Sequence, residues 1–129
     1  MYAIDEDDLK FVSYVYKNYQ ISKVGVAYLF LNWPTLEKLN IDPDYAAYDN
    51  VKLLANIKDC PIWTFFCQYP DGQIRLELRS RNLTINHIAQ KYGGGHKTSA
   101  AIKIDNFVVA KKIIADLDLV VGVKYEESF

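Results

Sequence analysis

The sequence predicts an α/β fold: a single domain with a mixed β-sheet of about five strands, built on a central hairpin and flanked by helices. Three observations carry that expectation. The chain has 129 residues, half of them hydrophobic and about a quarter charged, which suffices for one ordinary core and is too apolar for disorder. Buried-strand patterns alternate with segments of helical period along its length. Two β-rich runs, 62–69 and 73–81, flank Pro70-Asp71-Gly72, where proline and glycine stand at positions that turn geometry favours.

The elements follow in order. Asp5-Glu6-Asp7-Asp8 precedes a segment in which Val12, Val15, Tyr16 and Tyr19 form one apolar stripe. Acidic residues at a helix start complement the macrodipole and cap free N–H groups, so the cluster needs no metal to explain it, although a carboxylate metal site is the sharper alternative. Ile21–Leu31 reads as one buried strand. Trp33-Pro34 opens a short helix through Leu36 and Leu39. Asp42 and Asp44 form an Asp-x-Asp pair that can ligate a metal, but turn chemistry beside Pro43 is the simpler use. Tyr45–Ile57 is a second helix, with Asp49 or Asn50 as its expected cap.

Within the hairpin, Ile74, Leu76 and Leu78 face the core, Arg75, Glu77 and Arg79 face the other way, and Ser80 shares the apolar side. Asn82-Leu83-Thr84 caps a helix from Ile85 to Tyr92, with Ile85, Ile88 and Ala89 on its inner face. Ala100–Ile104 is a further strand. Asp105-Asn106 caps a helix from Phe107 to Leu117, with Val109, Ile113, Ile114 and Leu117 inward. Val120–Val123 is expected as a last short strand, and Lys124–Phe129 as a tail.

Charge and cysteine content narrow the function. A net charge of −1 provides no global attraction to nucleic acid, so any polyanion site must be a local patch. Cys60 and Cys67 have no histidines near them in sequence and cannot make a structural zinc site; Cys67 reads as a buried thiol. With no signal peptide, membrane-spanning run or lipidation motif, the expected setting is the reduced cytoplasm, away from any membrane.

The chemistry is concentrated in Leu76–Arg81 and in Gly93-Gly94-Gly95-His96-Lys97-Thr98. Three glycines strip a length of backbone of side chains, permit φ > 0 and let a ligand approach the main chain. Successive free N–H groups there can form an anion-binding concavity, to which Lys97 and the Thr98 and Ser99 hydroxyls add charge and donors. The same glycines can instead be only a helix C-cap and a tight connection. His96 suits a donor to a phosphate or base, or a core histidine bonded to a carbonyl. Arg79 and Arg81, spaced by one residue, point to one side of an extended strand, which suits bidentate phosphate contact or stacking on a base. A salt bridge to Glu77 is the plainer use of such arginines. His87, on the exposed side of its helix, is assigned no role.

Leu76–Arg81, Ile88–Tyr92 and Gly93–Ala101 together resemble the signature of the DHH-associated domain, the C-terminal substrate-binding domain of DHH-type phosphoesterases. The match in element order runs over about Val24–Leu119, and Ser99-Ala100-Ala101 stands where many members have two small residues and then glycine. The resemblance implies a linker helix over 1–20, the substrate-binding domain over 21–124 and a tail over 125–129. It is closest to the oligoribonuclease and 3′-phosphoadenosine 5′-phosphate phosphatase group. It also implies that Arg79, Ser80, Arg81, Gly93, Gly94, Gly95, His96, Lys97 and Thr98 hold the nucleotide or phosphate of a short single-stranded oligonucleotide.

Hydrolysis in that family needs an Asp-His-His run and two metals, with manganese the expected ion, in a separate DHH catalytic domain. This sequence has no such run, so the chain is expected to carry no catalytic residue or cofactor and to be inactive alone. A homodimer is compatible with the resemblance. The alternatives are an RNA- or tRNA-binding appendage like that of alanyl-tRNA synthetases, against which the near-neutral charge weighs, and a purely structural or dimerising domain.

Overall fold

A computed structural model describes residues 6–94 and 99–127. Five strands lie side by side in sequence order: β1 (Gln20–Ile21), β2 (Val26–Leu31), β3 (Ile62–Gln68), β4 (Ile74–Ser80) and β5 (Ser99–Ile104). All neighbouring pairs are antiparallel except β2 and β3, which are parallel and joined through helices. Those are α2 (Trp33–Lys38), α3 (Pro43–Asn50) and a 3₁₀ turn at Val51–Leu54. Helix α1 (Glu6–Asn18) precedes the sheet, α4 (Asn86–Lys91) links β4 to β5, and α5 (Phe107–Glu127) closes the fold.

The period-two pattern of the strands divides the core in two. On one face Val26, Ile62, Phe66, Ile74, Leu76 and Leu78 pack beneath α4 and α5. On the other, Ala27, Leu29, Leu31, Trp63, Phe65 and Cys67 pack beneath α1, α2 and α3, where Phe11 meets Phe65 edge to face at 6.3 Å. That second helical layer does not extend over β5. Ala100, Ile102 and Ile104 are buried against α4 and α5, whereas Ala101 and Lys103 are exposed.

The central hairpin has the expected place and register, with Gln68 opposite Ile74 and Trp63 opposite Arg79. Gly72 N–H donates to Tyr69 O and Gln73 N–H to the Asp71 carboxylate, closing the turn. Asn106 caps α5 through Val109 N–H as expected.

Other expectations change. Ile21–Leu31 is two antiparallel strands, because the chain reverses at Ser22–Gly25: Ser22 N–H donates to Val26 O, and the Ser22 hydroxyl accepts from Val26 N–H. Gly25 allows this at φ +113°, where an added Cβ would lie 2.8 Å from Asp59 O. In α1 the buried residues are Phe11 and Val15; Tyr16 is exposed and donates its hydroxyl to Leu53 O. The second helix starts earlier than expected, capped by Asp42 rather than Asp49 or Asn50, and gives way to the 3₁₀ turn after Asn50. Helix α4 begins at Asn86 with no side-chain cap from Asn82 or Thr84. Residues 120–123 are helical, not a strand: Ala110, Ile113, Leu117 and Val121 continue one buried stripe, so helical packing overrides the β-branched composition. Val109 is half-buried, and Ala110 takes the inward place.

Candidate functional site

The uncovered part of the sheet, on β4 and β5, presents a row of charged side chains. Arg75, Glu77 and Arg79 alternate with core residues and emerge on the face that α3 only partly covers. Glu77 is 1 % exposed. Its two carboxylate oxygens are divided between two guanidiniums: Oε1 accepts from Arg75 Nη2 at 2.5 Å, and Oε2 accepts from Arg79 Nη1 at 2.8 Å. A buried carboxylate is tolerable only with such compensation.

Arg75 also donates to Asp44 Oδ1 at 2.9 Å, tying β4 to the first turn of α3, and Tyr69 donates its hydroxyl to the same oxygen. The Tyr69 hydroxyl and the Arg75 guanidinium hold the Asp44 carboxyl below the usual carboxylate range. Burial, reinforced by the Asp44 bond, pushes the Tyr69 phenol up to about 12.

Arg79 is the site's open group. Nη1 is spent on Glu77 and on Leu78 O at 3.1 Å, which leaves the Nε and Nη2 donors uncommitted among the described residues. Arg81 lies one step beyond β4, where its N–H donates to Pro61 O at 2.8 Å and prolongs the ladder. Its guanidinium sits over the Trp63 ring, 5.5 Å from the centroid, and Nη2 donates to Ala55 O. Because Trp63 pairs with Arg79, the two arginines share one side of the sheet, as their spacing predicts. Ser80 is on the other side, with its hydroxyl donating to Leu83 O at 2.5 Å in the approach to α4.

The glycines begin with a helix stop. Gly93 N–H donates to Gln90 O and Gly94 N–H to Ala89 O, with Gly93 at φ +95°. These are the paired bonds of a Schellman closure. The first two N–H groups of the triple glycine are therefore committed to α4 and are not free for an anion. Gly94 also packs tightly, since an added Cβ would stand 2.5 Å from Ile102 Cγ1. Gly95, His96, Lys97 and Thr98 lie outside the described residues. The chain re-enters the sheet at Ser99, whose backbone pairs with Arg79, so that segment runs from the end of α4 to the strand position beside the open arginine.

A hollow of about 270 Å³ lies farther along the same face, bordered by Asp44, Tyr69, Arg75 and Lys103. A larger one of about 420 Å³, between α4 and α5, is mainly apolar and lies on the opposite side of the sheet. The converging charge places the candidate site on the arginine face.

The described residues do not fit a metal centre. No three His, Cys, Asp or Glu among them come together, and the most suitable donors are engaged: Asp42 caps α3, Asp44 pairs with Arg75, and Glu77 is enclosed by arginines. Cys67 is buried, and that burial pushes its thiol well above its ordinary range. No described helix is long and apolar enough to cross a membrane.

Sequence reasoning named Glu77 only as a salt-bridge partner of the arginines, which it is for Arg79, and did not assign Trp63 or Arg75 to this site. Trp63 was within reach, because a hairpin centred on Asp71 sets it opposite Arg79. The Ala55 carbonyl had no signal in the sequence; only the 3₁₀ turn carries it to Arg81.

Comparison with known proteins identifies the family of the fold. Residues 23–122 match the family model of the DHHA1 domain. The bifunctional oligoribonuclease and PAP phosphatase NrnA of Mycoplasma genitalium is 37% identical over 110 residues, covering 85% of this chain and 33% of that protein. The enzyme of the same name from Bacillus subtilis is 34% identical over 119 residues, covering 92% and 37%. The chain thus spans about a third of the length of these relatives. An exopolyphosphatase-related protein from Bacteroides fragilis shares the fold with a TM-score of 0.78 at 17% identity, over 93% of this chain and 37% of its own. The chain belongs to the DHHA1 domain family, the DHH-associated domain that Arg79–Ala101 resemble.

Proposed function

We propose that this chain is the substrate-binding domain of a DHH-type phosphoesterase, holding the nucleotide or phosphate of a short single-stranded oligonucleotide or nucleotide. Hydrolysis is left to a separate DHH catalytic domain carrying divalent metal, with manganese the expected ion. The observation that carries the proposal is the placement of Arg79. Two of its nitrogens are open, the third is anchored on a buried carboxylate, and the strand residue paired with it, Ser99, directly follows the Gly93–Thr98 segment.

Arg79 supplies charge-assisted hydrogen bonds to a phosphate oxygen. His96, Lys97 and Thr98, which precede Ser99 in the chain, are expected to add donors, while Gly93 and Gly94 shape the exit from α4. Ser80 acts from the far side of the sheet, fixing the turn that leads into α4 through Leu83 O. Holding the substrate in place for a metal centre elsewhere is a positioning contribution, which is a large part of many rate enhancements. The names of the two curated relatives, oligoribonuclease and PAP phosphatase, support nucleotides as the ligand class.

Amide NMR titration without metal tests this, using adenosine and guanosine monophosphates, 3′-phosphoadenosine 5′-phosphate and a dinucleotide. Shifts concentrated at residues 79–81 and 93–99, and lost in Arg79→Ala and His96→Ala, are expected. No shift at millimolar ligand refutes a nucleotide site in this chain. A salt-sensitive footprint only on long RNA would instead favour an RNA-binding appendage.

A further inference from the structure

Arg79 and Arg81 share a side of the sheet but are built for different tasks. Arg79 is anchored by one nitrogen on a carboxylate and keeps an edge of hydrogen-bond donors open. Arg81 is held over a ring: its backbone N–H is fixed on Pro61 O, one amino group is tied to Ala55 O at 2.5 Å, and the guanidinium lies above Trp63. Arg81 is exposed while Trp63 beneath it is only 8 % exposed, so Arg81 rather than the indole is what the solvent meets there.

The choice of tryptophan points the same way. Its Nε1–H is buried without an acceptor among the described residues, which makes the indole a costly way to fill a core position. What the indole supplies better than other rings is a π face for a cation. A cation held over such a face, on an exposed residue, has its outward side available to a second planar group.

Resting on the nucleotide-binding role proposed above, we propose that Arg81, clamped on Trp63, is a stacking platform for the nucleobase of a nucleotide whose phosphate is held at Arg79. The two positions are about 7 Å apart at ordinary strand rise, within the reach of one nucleotide from phosphate to base. Stacking tolerates any base, because each has a π face, and purines offer the larger one.

The test compares adenosine monophosphate with ribose 5-phosphate, which has the phosphate and sugar but no base. Both are titrated into the wild-type chain, Arg81→Ala and Arg81→Lys, following Trp63 fluorescence and indole N–H shifts. The wild type is expected to bind the nucleotide about tenfold more tightly than the sugar phosphate. That ratio should fall towards one in Arg81→Ala. Arg81→Lys should not restore it, since an ammonium keeps the charge and lacks the plane. The Trp63 signal should respond to the nucleotide alone. A ratio near one in the wild type, or an unchanged ratio in Arg81→Ala, overturns the platform while leaving the phosphate site at Arg79 standing. Failure of the wild type to bind either ligand overturns both.

Discussion

Glu77→Gln is the substitution that most directly probes the site's construction. The carboxylate is almost wholly buried and is shared between two guanidiniums whose side chains remain 22 % and 24 % exposed. Glutamine keeps the shape but replaces one oxygen with an NH₂ group, so one guanidinium then faces a donor. Removing one member of a fully buried ion pair costs about 3–5 kcal/mol. Here Arg75 keeps Asp44, and both arginines can turn part of their charge to water, so the expected loss is lower, about 2–3 kcal/mol. For a domain of this length that corresponds to a fall in Tm of roughly 6–12 °C.

Thermal and urea unfolding of wild type, Glu77→Gln, Arg75→Met, Arg79→Met and the two double mutants would measure it. The cycles separate the Glu77–Arg75 and Glu77–Arg79 couplings. Asp44→Asn serves as the comparison, because that pair is more exposed and should contribute less than about 1 kcal/mol. If Glu77→Gln also stays within about 1 kcal/mol, the three charges behave as an ordinary surface cluster. The claim that a buried carboxylate sets the direction of Arg79 would then be wrong.

The two described loop glycines should fail for different reasons. Gly94→Ala forces a Cβ against Ile102 and should lower stability by about 1–3 kcal/mol through overpacking. Gly93→Ala meets nothing within 4 Å but must adopt φ +95°, a strain of roughly 1–2 kcal/mol; equal wild-type stability in either variant would refute the corresponding reason. The raised phenol of Tyr69 gives an alkaline signature. Its folded value lies above the unfolded one of about 10, so its stabilising contribution is complete below pH 10 and is lost as pH rises towards 12. Asp44 has the opposite sign: its depressed carboxyl contributes above about pH 4 and loses that contribution on acidification. Ultraviolet titration of wild type against Tyr69→Phe, with stability followed at both extremes, should show one late-titrating phenol. Cys60 and Cys67, both buried with raised thiols, should resist alkylation at pH 8 until the chain unfolds.

The hairpin was legible because the turn residues, the alternation and the length of both runs agree. The triple glycine was legible as a stop for α4, and the same-side placement of Arg79 and Arg81 followed from their spacing. What escaped was decided by partners distant in sequence. Tyr16 leaves the apolar stripe of α1 because Leu53 O gives its hydroxyl an acceptor at the surface. The break before β2 depends on how closely Gly25 approaches Asp59 O. The valines at 120, 121 and 123 favour a strand locally, yet Val121 completes a stripe begun at Ala110 on the same helix face. In the site, the sequence shows that Glu77 and the arginines share a face, but not that the face is covered just enough to bury the acid.

That partial cover explains the division of labour between the two faces of the sheet. Where α4 and α5 lie, the strands need only apolar residues, and Ile74, Leu76 and Leu78 supply them. On the other face the helical layer ends over β4, so the strand carries charges at the margin of a core. A carboxylate there is dry enough to bind two guanidiniums firmly, and the guanidiniums are wet enough to offer donors outward. Farther into the layer, Arg79 would be buried and unable to meet a ligand. Over β5, beyond the layer, Glu77 would be solvated and would hold nothing in place. The site therefore sits where the helical cover runs out. Its directionality should be lost when that cover is thinned: shortening the aromatic contact of α1 with Phe11→Ala should weaken the proposed nucleotide binding through a large loss of stability, whereas Arg79→Ala should abolish it with only the smaller loss that follows from removing one partner of Glu77.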